Sequence, residues 1–389
     1  MRSTVPVSLL AVPLLAIGLA GCSGASSNGS SHPSTSSASP STSAAPASGP
    51  STIDGQFFGV HDGNPVAASW PAAPVGSLRV WDAGANWRQI ETSPGVFNFG
   101  RLDAIVATAR QHKADVLIVL GQTPAFHATA PSPKAAYGAG ASSMPKLAAW
   151  RTYVDKVVRR YHAPDVEFQV WNEVNVIDYW SGTQAQMAQL TSVARQVVDK
   201  VDPNITLVAP AFVTRLASQQ QWMSDFFAQK VNGKPVGDLI DVVSLQLYPV
   251  PTTPTPEASM AQLAVDRKIL AAHGVDKPVW DTEINYGAKG GRKVRPASAE
   301  EQAANVARTY LLNAADGVQR VFWYAWDLTQ PILNTLMVGP NGATPTAAGR
   351  AFGTVRKWML GTTAQGCHVD KRATYTCTFV KGGAKRLVL

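Results

Sequence analysis

Apolar residues along this chain fall into two alternating patterns. Short runs rich in β-branched and aromatic residues recur at 57–61, 78–82, 115–121, 166–170, 205–209, 240–248, 278–283 and 321–326. Between them lie longer stretches in which apolar positions return every three or four residues: 99–113, 146–161, 185–201, 218–231, 258–273, 299–315 and 345–360. In the second of these, Leu147, Trp150, Val154, Val157 and Val158 fall on one helical face. Apolar strands alternating with helices predict a parallel sheet covered by helices. Eight such units within residues 53–360 predict an α/β fold, a (β/α)8 TIM barrel. The competing open, doubly wound sheet would carry a glycine-rich phosphate turn after its first strand, and none follows Phe57-Phe58-Gly59-Val60-His61.

The pattern stops on both sides of this region. Residues 23–52 are Ser, Ala, Pro, Gly and Thr with almost no large apolar side chain, which predicts a disordered tether. Ahead of it, Arg2 and an apolar run over 5–19, interrupted by Pro6 and Pro13, read as a signal peptide ending near residue 22. Leu19-Ala20-Gly21-Cys22 resembles a bacterial lipobox. That resemblance implies lipidation of Cys22 and an exported protein anchored to the outer face of the cell membrane. Residues 361–389 contain three short β-rich runs and predict a small C-terminal β appendage. Cys367 and Cys377 stand ten positions apart there, and in an exported chain they can bridge a hairpin.

Composition adds bounds. With 389 residues, 45% of them hydrophobic and 15% charged, the chain can bury one large core. The formal charge of +8 is scattered, which argues against nucleic acid as a partner. No cysteine or histidine spacing suits a metal, and no cofactor is predicted. The stretch Lys289-Gly290-Gly291-Arg292-Lys293-Val294-Arg295 reads as a solvated loop, since its Gly/Lys spacing is not that of a phosphate loop.

The chemistry gathers at two strand ends. Val170-Trp171-Asn172-Glu173 closes the fourth run, and Trp280-Asp281-Thr282-Glu283 closes the seventh. In a barrel of parallel strands the carboxyl ends form the catalytic face. The ends of strands four and seven look across its mouth, where two carboxyl groups about 5 Å apart would suit glycoside hydrolysis with retention. Glu91 and Glu167, by contrast, read as surface carboxylates or helix caps. Period-two alternation would turn Asn172 and Glu173 to opposite faces, so a bulge or sharp twist is predicted at that strand end.

Those two strand ends resemble the clan of (β/α)8 retaining glycosidases that includes families 5, 10, 39 and 51. Trp87-Arg88-Gln89-Ile90-Glu91 and Pro94-Gly95-Val96-Phe97-Asn98-Phe99 are similar to family 39 in particular. The likeness runs from about His61 to Trp326. It implies a β-glycosidase acting by double displacement on a poly- or oligosaccharide, with Glu173 as acid/base and Glu283 as nucleophile. It further implies Asn172 as donor to the sugar 2-hydroxyl, Arg79 holding the nucleophile ionised, Tyr248 bonded to it, and Trp326 flooring the site. Where the clan often has His-x-Tyr, this chain has Gln246-Leu247-Tyr248, and glutamine cannot titrate. His127 and His61 are candidate neighbours, and Tyr179 and Trp180 are candidate sugar platforms or core residues. Arg79 should lower the pKa of Glu283, whose charge in turn should raise that of Glu173. A catalytically silent glycan-binding lipoprotein and a transglycosylase are the alternatives on the same scaffold.

Overall fold

The computed structural model describes residues 52–66, 70–130, 135–286, 297–327, 335–371 and 374–388. The signal-peptide, Cys22 and tether residues up to 51, and the basic segment 289–295, lie outside those described.

Nine strands form one parallel sheet. They are β1 (Phe58–His61), β2 (Ser77–Val80), β3 (Asp115–Leu120), β4 (Val166–Val170), β5 (Leu207–Val208), β6 (Phe212–Val213), β7 (Val243–Gln246), β8 (Val279–Ile284) and β9 (Arg320–Trp323). Their order, β5-β4-β3-β2-β1-β9-β8-β7-β6, puts the first and last strands of the barrel side by side. The fifth run of the sequence, 205–209, supplies only β5, and a second short strand, β6, follows beyond it. Pro210 has no N–H to give a ladder, and the chain uses it to change partners: β5 pairs with β4, and β6 pairs with β7. The ring closes beside β5, where Ala209 N donates to Val242 O at 2.9 Å and Asp241 N to Leu207 O at 2.9 Å.

The helices are α1 (Gly100–Gln111), α2 (Leu147–Tyr161), α3 (Gln184–Val201), α4 (Ala217–Phe227), α5 (Pro256–Ala272), α6 (Ala299–Ala315) and α7 (Ala347–Met359). Several start on side-chain caps: Thr183, Thr255, Ser298 and Thr346 each accept from a backbone N–H of the first turn. Helix α4 stops short of the predicted 231. Asn232 and Gly233 both take positive φ, 51° and 78°, the geometry of a two-residue hairpin turn, and Lys230–Val231 pairs with Lys234–Pro235 across it.

Two cores result. The larger lies between sheet and helices; a separate cluster of Leu117, Val208, Val242, Trp280 and Phe322 fills the ring itself. Gly59 belongs to that packing, since a Cβ there would lie 2.5 Å from the Phe322 ring. Below the apolar layer, at the amino ends of the strands, Arg320 pairs with Asp115 at 3.1 Å and Glu167 at 2.8 Å and covers the Trp280 ring. Above it the interior turns polar. Gln169 Nε2 donates to Ser244 Oγ at 2.5 Å, and Ser244 and Thr282 hydroxyls lie 2.6 Å apart.

The surface role read for Glu167 is thus corrected: it is 7% exposed, in the ion cluster at the barrel base. Glu91, 3% exposed, is not at the surface either, but it does stand as the C-cap of the short helix Trp87–Ile90, as the other half of that reading expected. It accepts from the Trp87 indole and from Gly95 N, anchoring the hairpin of Glu91–Ser93 with Val96–Phe97.

After α7 come β10 (Thr363–Val369), β11 (Tyr375–Lys381) and β12 (Ala384–Val388), an antiparallel sheet in which Cys367 faces Cys377 and is disulfide-bonded to it. Cys377 and Phe379 join the larger core. Ile53 exchanges backbone hydrogen bonds with Gly361 and Thr362, tying the first barrel residue to this junction.

Candidate active site

Arg79 organises the carboxyl end of the barrel. It leaves β2 pointing into the ring, 0% exposed, and its guanidinium donates in three directions. Nη1 reaches Glu283 Oε2 at 2.9 Å, Nη2 reaches Asn172 Oδ1 at 2.7 Å, and Nε reaches Gln169 Oε1 at 2.7 Å. The planar fork of arginine suits this division better than a point charge would. Gln246, at the end of β7, donates to Asn172 Oδ1 at 2.8 Å and to Glu283 Oε2 at 3.2 Å. Tyr248 OH donates to the other oxygen, Oε1, at 2.9 Å. Glu283 therefore has both oxygens fixed by donors from β2, β7 and the turn after β7. With its Oδ1 bonded twice, Asn172 keeps its amide hydrogens unengaged among the described residues.

Glu173 reaches the same space by a local distortion. Trp171 and Glu173 both lie in the left-handed region, at φ 67° and 45°. These two residues, one on each side of Asn172, replace the simple alternation of a strand and let Asn172 and Glu173 serve one site. Among the described residues nothing hydrogen-bonds the Glu173 carboxyl, which keeps some solvent access.

Both carboxyls titrate high. Burial, followed by the charge of Glu283, raises Glu173 to about 8. Burial also raises Glu283 to about 7, and the Arg79 charge opposes but does not reverse it. The expectation that Arg79 would bring Glu283 below its ordinary value is corrected: desolvation disfavours the anion by more than one arginine restores. The order of the pair survives, with Glu173 the later to lose its proton. Tyr248 is pushed well up by burial and by Glu283, so it remains a donor. His61 is held neutral by burial and the Arg79 charge; its Nε2 lies 3.0 Å from Thr282 O.

Three sequence candidates fall outside this cluster. Trp326 is 1% exposed and packs edge-on against Phe352 of α7, because the chain past the end of β9 no longer keeps the strand's alternation. Tyr324 takes the place expected of it, with its ring edge on His61 and its hydroxyl 2.8 Å from Asp82 Oδ2. Trp180 is 2% exposed against Trp171, and Tyr179 is the member of that pair whose hydroxyl feels the charge of Glu173. His127 bonds Glu91 at 3.0 Å and stacks on Trp87, supporting the hairpin rather than the carboxyl pair. Asp82 and Tyr137 were not foreseen. Only the position of Asp82, immediately beyond an apolar run that also carries Arg79, could have marked it.

Several solved structures share this architecture. A family 39 β-xylosidase from Caulobacter crescentus superposes with a TM-score of 0.62 at 18% identity, covering 86% of this chain and 77% of that one. The family 39 enzyme from Xanthomonas axonopodis pv. citri gives 0.60 at 17% identity, covering 88% and 74%. A family 39 glycoside hydrolase from the gut symbiont Bacteroides cellulosilyticus WH2 gives 0.60 at 20% identity, covering 80% and 64%. Likeness at these identities is one of fold. A comparison with curated proteins finds no match. The sequence model of Glycosyl hydrolases family 39 matches residues 80–333, from the end of β2 to beyond β9. The chain belongs to that family and is a retaining glycoside hydrolase acting on carbohydrate.

Proposed function

We propose that Glu283 is the nucleophile and Glu173 the acid/base of a double displacement on a β-linked poly- or oligosaccharide. The Glu283 carboxylate attacks the anomeric carbon while protonated Glu173 gives its proton to the departing glycosidic oxygen. Glu173, now ionised, then takes a proton from water, whose oxygen displaces Glu283 from the anomeric carbon and leaves retained configuration. The observation that carries this reading is the contrast between the two carboxyls. One is held on both oxygens by Arg79, Gln246 and Tyr248; the other has no hydrogen bond among the described residues and titrates higher. Asn172, with its oxygen pinned by Arg79 and Gln246, presents its amide hydrogens to the sugar 2-hydroxyl. Arg79, Gln246 and Tyr248 act chiefly on Glu283 and Asn172.

The test is hydrolysis of aryl β-glycosides and polysaccharides by wild type, Glu283→Ala and Glu173→Ala. Loss of turnover in the first variant, and azide rescue with a β-glycosyl azide product in the second, is the expected result. Turnover that survives Glu283→Ala overturns the assignment. Product analysis at high acceptor concentration separates hydrolysis from transfer.

The same proposal places the enzyme outside the cell, tethered through a lipid on Cys22 by the segment 23–52. Support comes from Leu19-Ala20-Gly21-Cys22 immediately after the apolar run. Labelled palmitate should enter the wild type and not Cys22→Ala; equal labelling would refute the anchor.

A further inference from the structure

The mouth holds a third carboxylate that the double displacement does not use. Asp82 stands two residues past the end of β2 and lies in the left-handed region at φ 59°. Tyr137 OH donates to its Oδ1 at 2.5 Å and Tyr324 OH to its Oδ2 at 2.8 Å. The Trp81 indole N–H donates to Tyr137 OH at 3.1 Å and completes the support. Groups from the β3–α2 connection and from the end of β9 thus pin it from two sides. Its charge acts on Arg79, Glu173 and Glu283 together, so it shares their space.

A carboxylate oxygen offers about two acceptor positions. The tyrosines take one on each, which leaves one on each. Asp82 has no ion pair among the described residues, because Arg79 gives its hydrogen bonds to Glu283, Asn172 and Gln169. An anion kept half-buried without a cation of its own is a cost to the fold. It also lies on the nucleophile's side: it stands two residues past the strand that carries Arg79, and Tyr324 links it to His61, which is 3.9 Å from Glu283.

We propose that Asp82 recognises the sugar being cleaved: its carboxylate accepts hydrogens from that ring's hydroxyls and repels a ring carboxylate. The reacting sugar is therefore uncharged and not a uronic acid. This rests on the assignment of Glu283 and Glu173 as the reacting pair.

The probes are 4-nitrophenyl β-glycosides of glucose, galactose, xylose and mannose, and of glucuronic and galacturonic acid. They are assayed with wild type, Asp82→Asn and Tyr137→Phe. Wild type should cleave at least one neutral glycoside and neither uronide. Asp82→Asn should lose about 10- to 100-fold in kcat/KM on the neutral glycoside, the scale of a charge-assisted hydrogen bond. Both limbs of its pH profile should move to lower pH, because a negative charge facing Glu173 and Glu283 is gone while Arg79, Tyr137 and Tyr324 stay. A merely structural role would not move those limbs. Tyr137→Phe keeps the carboxylate but loosens it, so KM should rise with the limbs unmoved; this variant carries the test if Asp82→Asn does not fold. Efficient cleavage of a uronide by wild type, or unchanged kinetics in the variants, overturns the proposal. Cleavage of none of the probes by wild type leaves the reacting pair to the Glu283→Ala and Glu173→Ala assays on polysaccharide. Calorimetric binding of glucose against glucuronate then decides for Asp82: a neutral preference lost in Asp82→Asn sustains it, and a preference for the uronate refutes it.

Discussion

Replacing Arg79 by methionine removes the one buried cation bonded to Glu283 and leaves the shape of the interior nearly intact. Two unit charges 4 Å apart in an effective dielectric of about 20 attract by about 4 kcal/mol. The Arg79–Glu283 pair is closer than that, with N···O at 2.9 Å. Losing about 4 kcal/mol of differential interaction carries the Glu283 midpoint up by about three pH units. On the proposed roles the productive wild-type form has Glu283 ionised and Glu173 protonated, with midpoints of about 7 and about 8, so the expected optimum falls between them. In Arg79→Met the order inverts, with Glu283 carried up by about three units and past Glu173. At pH 7 the ionised fraction of Glu283 falls from about one half to about one in a thousand, and kcat/KM falls about 500-fold. The optimum moves to about pH 9. The assay is kcat/KM against pH on an activated aryl glycoside, with circular dichroism to fix the folded fraction. The shape of the profile does not depend on how much protein is folded. A loss under about 10-fold, or a large loss with the wild-type pH profile, refutes the electrostatic role given to Arg79.

Other outcomes follow from the same geometry. Glu173 holds a proton in the folded chain that the unfolded chain has released, because its midpoint is about 8 against an ordinary 4.5. Wild-type stability therefore declines as pH rises from 4.5 to about 8, and Glu173→Gln should melt higher than wild type by a margin that widens over that window; a constant margin counts against the raised value. Trp326→Ala and Trp180→Ala should each cost about 3–5 kcal/mol in denaturant titrations, since both fill the core, while the KM of the folded protein stays put. A KM change without a stability change would restore either tryptophan to the site. Cys367→Ser with Cys377→Ser should cost about 2–4 kcal/mol and leave the pH profile of hydrolysis unaltered.

Barrel order was legible because short β-rich runs alternate with helical stretches, and that pattern needs no tertiary knowledge. Its fifth position was only half legible, since the apolar run ends at Ala209 and gives no sign that Phe212–Val213, beyond Pro210, forms a second short strand. Helix α4 was drawn too long because Lys230 and Val231 extend its pattern, whereas Asn232-Gly233 dictates a hairpin. The strand ends at Glu173 and Glu283 could be read from the pattern, whereas Arg79, Gln246 and Tyr248 came from the family resemblance; the structure brings those five together with Asn172. Aromatic residues were harder. Whether Tyr324 or Trp326, Tyr179 or Trp180, turns to the mouth depends on backbone angles past the last paired residue, where alternation carries no information. Asp82 was missed for a related reason: its left-handed backbone is visible only in the fold, and so are the two tyrosine donors, which arrive from 55 and 242 residues away.

The split at Pro210 also bears on how this chain avoids sticking to itself. A closed barrel offers no free strand edge, and here closure depends on the short contact of Leu207 and Ala209 with Asp241 and Val242. Before that contact forms, the sheet is an open array with β5 exposed at one margin and β6 at the other, and both are apolar templates for another chain. The seam is thus what leaves the paired sheet without an open margin for another chain to join.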